Sequence, residues 1–433
     1  MDNSIFTVAG IEFQFVDSFN PVWTTANDFY NGNPGSFWEA ARPDTSWKAF
    51  GSLCVPQTNN PSGTYAMLLA RNLAPNDQSL PPLAPPAGFE LVWNDHGTGN
   101  TGGDGACWQI VAPNGYTALG SVFNNANYNQ PNPDDYVCVR NDLVAELGAG
   151  EGVWNDQNSG ATSSNLQCYD VLPQFSPPST TSPGTPSTQG SWVLGTGSFL
   201  TSNQYAVPTT LINVLVLPSA GKASPGPDNQ PPSMGPGVTV APASGYKLAA
   251  SLPVLFPMVN DPAKNLDWQV ANPVYTLEIW GQWTDITSLI TDIDGGSITQ
   301  TLTSGVEQSS SDEWSNQVGA SLEVSAEGEL TLSPVAKLKL GVKIGGSYSY
   351  TWGGSNGTIS SQSTSISITG NVSPHTFAVL WQLNYSAYLR RQDGTYVGKV
   401  STTSLQNAYS LNIGTSSYEI ATSPLPVKET GLA

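Results

Sequence analysis

The sequence is poor in charged residues, above all in basic ones, and this shortage excludes several classes of partner. Charged residues make up 11% of the 433 residues, against a usual share of roughly 25%. Lys and Arg number 14 against 33 Asp and Glu, which gives a net charge of −19. Such a charge repels phosphate backbones and anionic lipid at long range. We therefore expect no nucleic-acid partner.

Cysteine and histidine are scarce as well, which argues against a disulfide scaffold, a metal site and a catalytic centre. The four cysteines lack CxxC spacing, and we expect buried thiols rather than paired bridges: Cys54, Cys107, Cys138 and Cys168. The two histidines, His96 and His375, lie far apart in the sequence. We predict that the protein is not an enzyme and that it uses no cofactor and no metal.

No stretch of the chain approaches the roughly 18 apolar residues that a membrane helix needs. The N-terminal sequence MDNSIFTVAGIEFQF also lacks a basic segment followed by an apolar run. We expect a protein that is secreted or released in soluble form, by a route without a visible signal peptide.

Glycine, proline and aromatic residues are abundant instead. The chain has 43 Gly, 34 Pro and 13 Trp, and 10% of its residues are aromatic. Gly and Pro interrupt helices, while the aromatic content is too high for a disordered chain. The composition predicts an all-β protein with a surface of Ser, Thr and Asn.

The first half contains a repeat. Trp93-Asn94-Asp95 recurs as Trp154-Asn155-Asp156, and the same offset relates Cys107-Trp108 to Cys168-Tyr169. A fainter first copy begins at Asn27-Asp28 and continues through Trp38 to Gly51-Ser52. Units of a few strands bury an apolar face only by packing together, so three copies predict a threefold β-prism.

These motifs resemble the vacuolar protein sorting sixty-two-like β-prism family. The matching segments are a W-x-D-x-G-[ST]-G loop at 93–99, a Cys-Trp core at 107–120 and a V-C-V-R-x-D-L strand at 137–143. The resemblance covers about residues 10–220 and implies a membrane- or glycan-directed module. Candidate receptor loops carry Asp28, Trp93, Asp95, Trp154 and Asp156, although capping of backbone amides explains the Asn-Asp pairs equally well.

The second half follows a linker rich in Pro, Gly and Ser. We predict a recognition domain at 1–220, a linker at 221–244 and a second β-domain at 245–433. Alternating apolar residues predict long strands around Tyr275–Trp283 and Phe377–Tyr385, and Ser/Thr-rich strands at 296–316 and 355–370. We expect Trp280, Trp283 and Trp381 to belong to the core rather than to a binding surface.

Segment 318–352 has the strongest alternation in the chain. The apolar positions are Val318, Ala320, Leu322, Val324, Ala326, Leu330, Leu332, Ala336, Leu338, Leu340, Val342 and Ile344. The polar face carries Glu323, Glu327, Glu329, Lys337, Lys339 and Lys343. Pairing about a turn at 333–335 would place Glu opposite Lys across two strands.

Such a hairpin meets the requirements of a transmembrane β-hairpin. A spanning strand needs about 9–11 residues that alternate between lipid and lumen, and each arm here is longer. One hairpin cannot close a barrel, so each protomer of a ring would contribute one. The apolar residues would then face lipid and the charged ones the pore lumen. An ordinary hairpin with its apolar face on a core remains the alternative.

Residues 245–425 resemble aerolysin and the epsilon-toxin/mosquitocidal-toxin family. The matching features are the Ser/Thr-rich sheet, the central amphipathic hairpin and the return strand Phe377–Tyr388. The resemblance implies an elongated aerolysin-like domain of a pore-forming toxin, insecticidal or cytolytic. Its monomer would bind a cell-surface receptor, whether glycan, lipid or protein, form a homo-oligomer and enter the target membrane. The alternative is a non-lytic lectin-like or membrane-adaptor β-protein.

Overall fold

A computed structural model of the chain shows a protein built almost entirely of antiparallel β-strands, as predicted. Within the part of the chain that it describes, no helix is long and apolar enough to cross a bilayer. The described residues are 4–27, 33–73, 80–99, 101–125, 128–148, 152–170, 190–219, 222–223, 231–235, 237–259, 261–304, 320–324, 330–334, 364–397 and 405–415.

The chain forms two compact units. The described residues of the first lie within Met1–Ser219 and Leu255–Val274, and those of the second within Ala220–Val254, Tyr275–Pro334 and Asn356–Ala433. Segment 255–274, which the sequence predicts in the second domain, belongs to the first unit. The reason is packing, because the ring of Phe256 in this segment contacts the ring of Phe15 in the first unit, with centroids 4.8 Å apart. The functions assigned to the two regions stay predictions.

The strands of the first unit are short. In chain order they begin with β1 (Ile5–Val8), β2 (Ile11–Val16), β3 (Phe19–Thr24), β4 (Ser36–Ala40), β5 (Lys48–Ala49), β6 (Leu53–Val55), β7 (Met67–Asn72), β8 (Leu83–Ala84), β9 (Gly88–Asn94) and β10 (Ala106–Val111). They continue with β11 (Tyr116–Thr117), β12 (Ser121–Asn124), β13 (Cys138–Arg140), β14 (Val144–Gly148), β15 (Gly152–Asn155), β16 (Gln167–Tyr169), β17 (Gly190–Leu194), β18 (Leu200–Ser202) and β19 (Leu211–Ser219). Helix α1 (Leu266–Ala271) completes the unit.

Three of the sheets are copies of one another. They have the strand orders β3-β4-β6, β9-β10-β12 and β15-β16-β18. In each copy the strand register skips one valine, a β-bulge that immediately precedes a buried tryptophan. The bulged pairs are Val22-Trp23, Val92-Trp93 and Val153-Trp154.

Backbone hydrogen bonds join the three copies in a closed cycle. The amide of Ser52 donates to the carbonyl of Ser121 (2.9 Å), Ser121 donates to Phe199 (2.8 Å), and Phe199 donates back to Ser52 (3.2 Å). Equivalent residues therefore occupy equivalent places around one centre, which confirms three copies. The complete β-prism, which depends on the arrangement of all the sheets, stays a prediction.

Three clusters of buried apolar residues lie in the described part of the first unit, and two of them are large. One joins the three copies and contains Trp23, Phe37, Trp93, Phe123 and Trp154, whose ring centroids lie 3.9 to 6.1 Å apart in the contacting pairs. The other joins the sheets of the first and second copies to two further sheets, which have the strand orders β1-β2-β7-β5 and β11-β13-β8. The tryptophan-rich composition is therefore explained by packing.

The four cysteines are free and buried, as predicted: Cys54, Cys107, Cys138 and Cys168. Burial raises the pKa of the Cys107 and Cys168 thiols well above the ordinary value, and that of Cys138 to about 12. A thiol must ionise to act as a nucleophile. Cys107, Cys138 and Cys168 therefore behave as small apolar side chains.

The second unit contains the longest strands. Its described strands are β20 (Lys222–Ala223), β21 (Lys247–Leu255), β22 (Val274–Ile290), β23 (Gly296–Ser304), β24 (Ala320–Val324), β25 (Leu330–Pro334), β26 (Thr364–Val372), β27 (Thr376–Arg390) and β28 (Leu405–Thr415). One sheet has the order β20-β21-β22-β27-β28, in which β22 has 17 residues and β27 has 15. The long strands at these two positions are thus as predicted.

The first half of β27 is buried on both faces rather than on one. Thr376–Gln382 is buried at every position, so the expected alternation between core and solvent is wrong there. Trp283 and Trp381 belong to the core, as predicted, whereas Trp280 is only half-buried. Among the described residues, the buried indole of Trp381 and the buried amide of Gln382 find no hydrogen-bond acceptor, and a buried donor without one costs about 1–3 kcal/mol.

A carboxyl pair joins helix α1 to the strands of the first unit. Asn265 caps the helix by accepting from the Trp268 amide (3.1 Å), and Leu266, Gln269 and Val270 on the helix are buried. Asp267 in the first turn hydrogen-bonds Asp17, which follows β2. Burial, this bond and the repulsion between the two carboxyls raise the pKa of Asp17 to about 6.

The Asp17 pair predicts a stability that falls as the pH rises. The folded pKa of about 6 lies above the unfolded value of roughly 3.9. The pair is therefore fully stabilising in acid, below roughly pH 4, and its contribution is lost as the pH rises through the folded value. Measured at pH values above 7, the thermal unfolding midpoint of Asp17→Asn should be higher than that of the unaltered protein. At pH 4 the two midpoints should be nearly equal.

The matched control for that measurement is Asp44→Asn. Ser46 donates to the exposed Asp44 carboxylate and lowers its pKa, so this variant should lower the midpoint at neutral pH instead. Identical pH profiles for Asp17→Asn and the unaltered protein, from pH 4 to 8, would show that the pair does not titrate in this range.

Candidate functional site

Indole groups in the aromatic core tie each copy of the repeat to the next. The Nε1 of Trp23 donates to Oδ2 of Asp95 in the second copy (2.9 Å), and that of Trp93 donates to Oδ2 of Asp156 in the third (2.7 Å). Trp154 of the third copy donates to the carbonyl of Asn33 in the first (2.9 Å). The three bonds run in one direction around the unit.

The two carboxylates are buried and fully engaged. Asp95 is 5% exposed and Asp156 is 3% exposed. The second oxygen of Asp95 accepts from the Tyr128 hydroxyl (2.9 Å), and that of Asp156 accepts from the Leu166 amide (2.8 Å). Burial and the bond to Asp95 raise the pKa of Tyr128. These carboxylates therefore hold the core together.

Every position of the W-x-D motif has a structural task. Asn94 and Asn155 each accept from the backbone amide two residues later, at 3.2 Å in both loops. The amides of Thr98 and Ser159 donate to the carbonyls of Asp95 and Asp156. Between them the chain adopts positive φ, with Gly97 at 95° and Asn158 at 65°, a conformation that Gly and Asn tolerate best. The motif specifies a turn, and this is the Asx-capping alternative of the sequence analysis.

The loops of the second and third copies are bound to each other. The amide of Thr162 donates to the carbonyl of His96 (2.9 Å), and the Ser163 hydroxyl donates to the carbonyl of Asn94 (2.9 Å). A Cβ at Gly97 would lie 2.8 Å from the carbonyl oxygen of Gly160. The loops thus form one continuous patch, which we call the apical surface, with these exposed residues: His96, Gly97, Gly99, Thr101, Gly102, Gly103, Asp104, Gln157, Asn158, Gly160, Thr162, Ser163, Ser164 and Asn165.

The candidate receptor residues separate into two groups. Trp93, Asp95, Trp154 and Asp156 are buried, so a receptor would contact the apical surface around them rather than their side chains. Asp28 lies outside the described residues. The role of these loops in recognition stays a prediction.

Trp23 is absent from the predicted repeat, and Asp28 is the wrong residue for the Asp position of the first copy. Thr25, and not Asp28, is equivalent to Asp95, because its amide donates to Gly35 as that of Asp95 donates to Gly105 (3.0 Å each). The recurring Val-Trp dipeptide was the signal that would have aligned the copies.

The candidate hairpin is described in part. Strands β24 and β25 pair with Leu322 opposite Leu332 and Glu323 opposite Thr331, so even positions oppose even positions. Ser333 and Pro334 lie in a strand, where the sequence analysis placed a turn. The remaining candidates, which are Val318, Ala326, Glu327, Glu329, Ala336, Lys337, Leu338, Lys339, Leu340, Val342, Lys343 and Ile344, lie outside the described residues. Their assignment to lipid or lumen stays a prediction.

A polar ladder brackets this segment. Strands β23 and β26 pair without a register shift from Gly296 opposite Val372 to Ser304 opposite Thr364. The predicted Ser/Thr-rich strands are therefore partners. Because Ser304 and Thr364 are paired, the chain leaves the ladder and returns to it at the same place, with residues 305–363 between.

Comparisons with known proteins bear mainly on the first unit. A family model described as "Vacuolar protein sorting-associated protein 62" matches residues 2–193, which confirms the resemblance found in the repeat motifs. No curated protein matches the chain.

Two solved structures share limited similarity with the chain. GNIP1Aa from Chromobacterium piscinae has 21% identity over 48% of this chain and 34% of its own, with a TM-score of 0.34, so the chain spans about a third of that protein. Cry35Ab1 has 10% identity over 94% of this chain and 90% of its own, also with a TM-score of 0.34. Similarity at this level is too low to assign a function. The resemblance to aerolysin stays a prediction.

The indole–carboxylate bonds predict that Asp156 is needed for folding. In Asp156→Ala the Trp93 indole and the Leu166 amide lose their acceptors inside the core. The free energy of unfolding should fall by about 2 kcal/mol or more in chemical denaturation. The neighbouring exposed Gln157 provides the control, because Gln157→Ala should change stability by less than about 0.5 kcal/mol. If the Asp156→Ala protein were as stable as the unaltered one, this carboxylate would not be needed for folding. A role for Asp156 in receptor binding would then be favoured.

Proposed function

We propose that this protein is a pore-forming toxin. The soluble monomer binds a cell-surface receptor through the first unit, assembles into a ring with further copies, and inserts one β-hairpin from each copy into the target membrane. The reaction is a change of conformation and assembly, and it requires no catalytic group.

The observation that carries this proposal is the pairing of Ser304 with Thr364 at the end of the β23–β26 ladder. An inserted hairpin must leave and re-enter its domain at adjacent points, because its two strands are neighbours in the barrel. The ladder provides such adjacent points on either side of residues 305–363. This segment contains the strongest apolar–polar alternation of the sequence.

The alternation suits a barrel rather than a helix bundle. Within a bilayer every backbone group must be paired, so strands cross it only in closed barrels. Apolar residues at even positions would contact lipid, and Glu and Lys at odd positions would line a water-filled lumen. The register of β24 and β25, which pairs even with even positions, supports this division of faces.

Recognition is assigned to the apical surface. Apart from Asp104, its exposed residues are glycines and polar residues such as Thr101, Gln157 and Ser163. With a net charge of −19, the protein has no long-range attraction to anionic lipid. Hydrogen bonds to a glycan, a lipid headgroup or a protein loop would provide affinity instead. A non-lytic adaptor would use the same surface, and only permeabilisation separates the two functions.

The first test places a charge on the face assigned to lipid. Leu322→Arg should cost about 2–4 kcal/mol per copy in the inserted state, because arginine is expensive at mid-membrane. Dye release from susceptible cells or their lipid vesicles should collapse, while binding to cells remains. Ser321→Arg, one residue away on the face assigned to the lumen, should retain release. Full dye release by Leu322→Arg would show that this face does not enter lipid, and release by neither variant nor the unaltered protein would favour the non-lytic adaptor.

The second test blocks the apical surface. Because all four native thiols are buried, a cysteine introduced at exposed Ser164 becomes the accessible site for a maleimide-linked polyethylene glycol. The modified Ser164→Cys protein should lose binding to cells, since the polymer covers the loops. A Thr45→Cys protein modified in the same way should still bind, because Thr45 is exposed in the turn after β4, at the end of that strand remote from the apical surface. Equal binding by the two conjugates would place the receptor site elsewhere.

A further inference from the structure

A cluster of aromatic and charged side chains lies on the long sheet of the second unit. It consists of Glu278 and Trp280 on β22, Tyr388 and Arg390 on β27, and Tyr396 in the loop that follows; we call it the Glu278 cluster. None of these residues belongs to the apical surface or to the segment assigned to the membrane.

The strand register explains why these residues meet. Glu278 is opposite Tyr388, and Trp280 is opposite Ser386, with no register shift at this end of the strand pair. Directly opposite residues share a face of the sheet. Leu389, which points to the other face, is fully buried, so the cluster occupies the outer face.

A tight turn brings the fifth residue back onto this face. The Arg391 amide donates to the Thr395 carbonyl (2.7 Å), and Gly394 adopts a φ of 87° within the turn. The Tyr396 ring then lies against Tyr388, with centroids 5.7 Å apart and planes inclined by 59°. The two rings form a corner beside the carboxylate.

The carboxylate is buried beneath groups that are themselves open to solvent. The side chain of Glu278 is 8% exposed and that of Arg390 is 49% exposed. Tyr396 is 45% exposed, and Trp280 and Tyr388 are half-buried. A large aromatic ring that stays exposed contributes little to folding. Exposed rings above a buried carboxylate therefore indicate a role other than stabilising the fold.

The bonds to Glu278 are long. The Trp280 indole donates to Oε2 at 3.1 Å, whereas Arg390 donates to Oε1 at 3.4 Å and the Tyr396 hydroxyl to Oε2 at 3.5 Å. Strong bonds between charged partners are nearer 2.7–2.9 Å. Both oxygens therefore retain the capacity to accept a shorter bond from an incoming hydroxyl.

We propose that the Glu278 cluster is a saccharide-binding site. Two hydroxyls of one sugar ring would donate to the carboxylate and accept from Arg390, while the apolar face of the sugar packs on Tyr396. Glu278 and Arg390 cancel in charge, which suits a neutral ligand; an anion would meet the carboxylate beside Arg390, in a chain with a net charge of −19. This site is additional to the recognition surface proposed above and does not depend on it.

The test is saturation-transfer NMR on the full-length protein, with methyl glycosides of glucose, galactose, mannose and N-acetylglucosamine as probes. At least one of these should receive saturation from the unaltered protein. Tyr396→Ala should weaken its binding at least about fivefold, because the stacking ring is lost. Glu278→Gln should weaken binding roughly tenfold, because charge-assisted bonds are replaced by neutral ones.

Two controls separate binding from folding and from the apical surface. Tyr396→Phe keeps the ring and loses only a long bond, so it should bind nearly as well as the unaltered protein, and its unfolding midpoint should match that of Tyr396→Ala. Tyr205→Ala removes a similarly exposed tyrosine of the first unit and should leave binding unchanged.

Absence of transfer to all four glycosides would overturn the proposal. Transfer that Tyr205→Ala abolishes and Tyr396→Ala preserves would assign the sugar to the first unit instead. Neither result alters the dye-release tests, so the pore hypothesis stands or fails separately.

Discussion

A buried indole N–H needs an acceptor, and this requirement organises the first unit. Each copy of the repeat places one tryptophan at the centre, and each tryptophan finds its acceptor in the next copy. No copy satisfies its own tryptophan in this structure, so the three copies stabilise one another. The turns around Asp95 and Asp156 are fixed by the same bonds, which is why the exposed residues of these loops have a definite arrangement.

The second unit follows a different physical rule. Its long strands pair over most of their length, and the strand order decides which distant residues share a face of the sheet. The β22–β27 pair places side chains from distant parts of the sequence on one outer face. The β23–β26 ladder, by contrast, brings the two ends of an amphipathic segment together. One sheet of this unit thus carries the proposed saccharide site, and a second sheet frames the segment proposed to enter a membrane.

Composition and local patterns predicted the all-β class, the repeat and the buried thiols, because each depends on residues near in sequence or on simple counts. The first copy was misaligned at Asp28, since Thr25 replaces aspartate and removes the Asn-Asp signal. The turn at Pro334 was wrong because proline also occurs in strands at edge positions, where no amide is needed. The Glu278 cluster could not be predicted, because periodicity shows that a strand exists but not which distant strand pairs with it.

The third link of the indole cycle differs from the other two, since Trp154 donates to a main-chain carbonyl at Asn33 and not to a carboxylate. Every residue type has a backbone carbonyl, so this link does not depend on the identity of the side chain. The junction still restricts two positions, because the Asn33 side chain donates to Asn155 (3.1 Å) and a Cβ at Gly35 would clash with the Trp154 ring. A loop of foreign sequence grafted there would therefore have to keep this glycine and a carbonyl that reaches the indole.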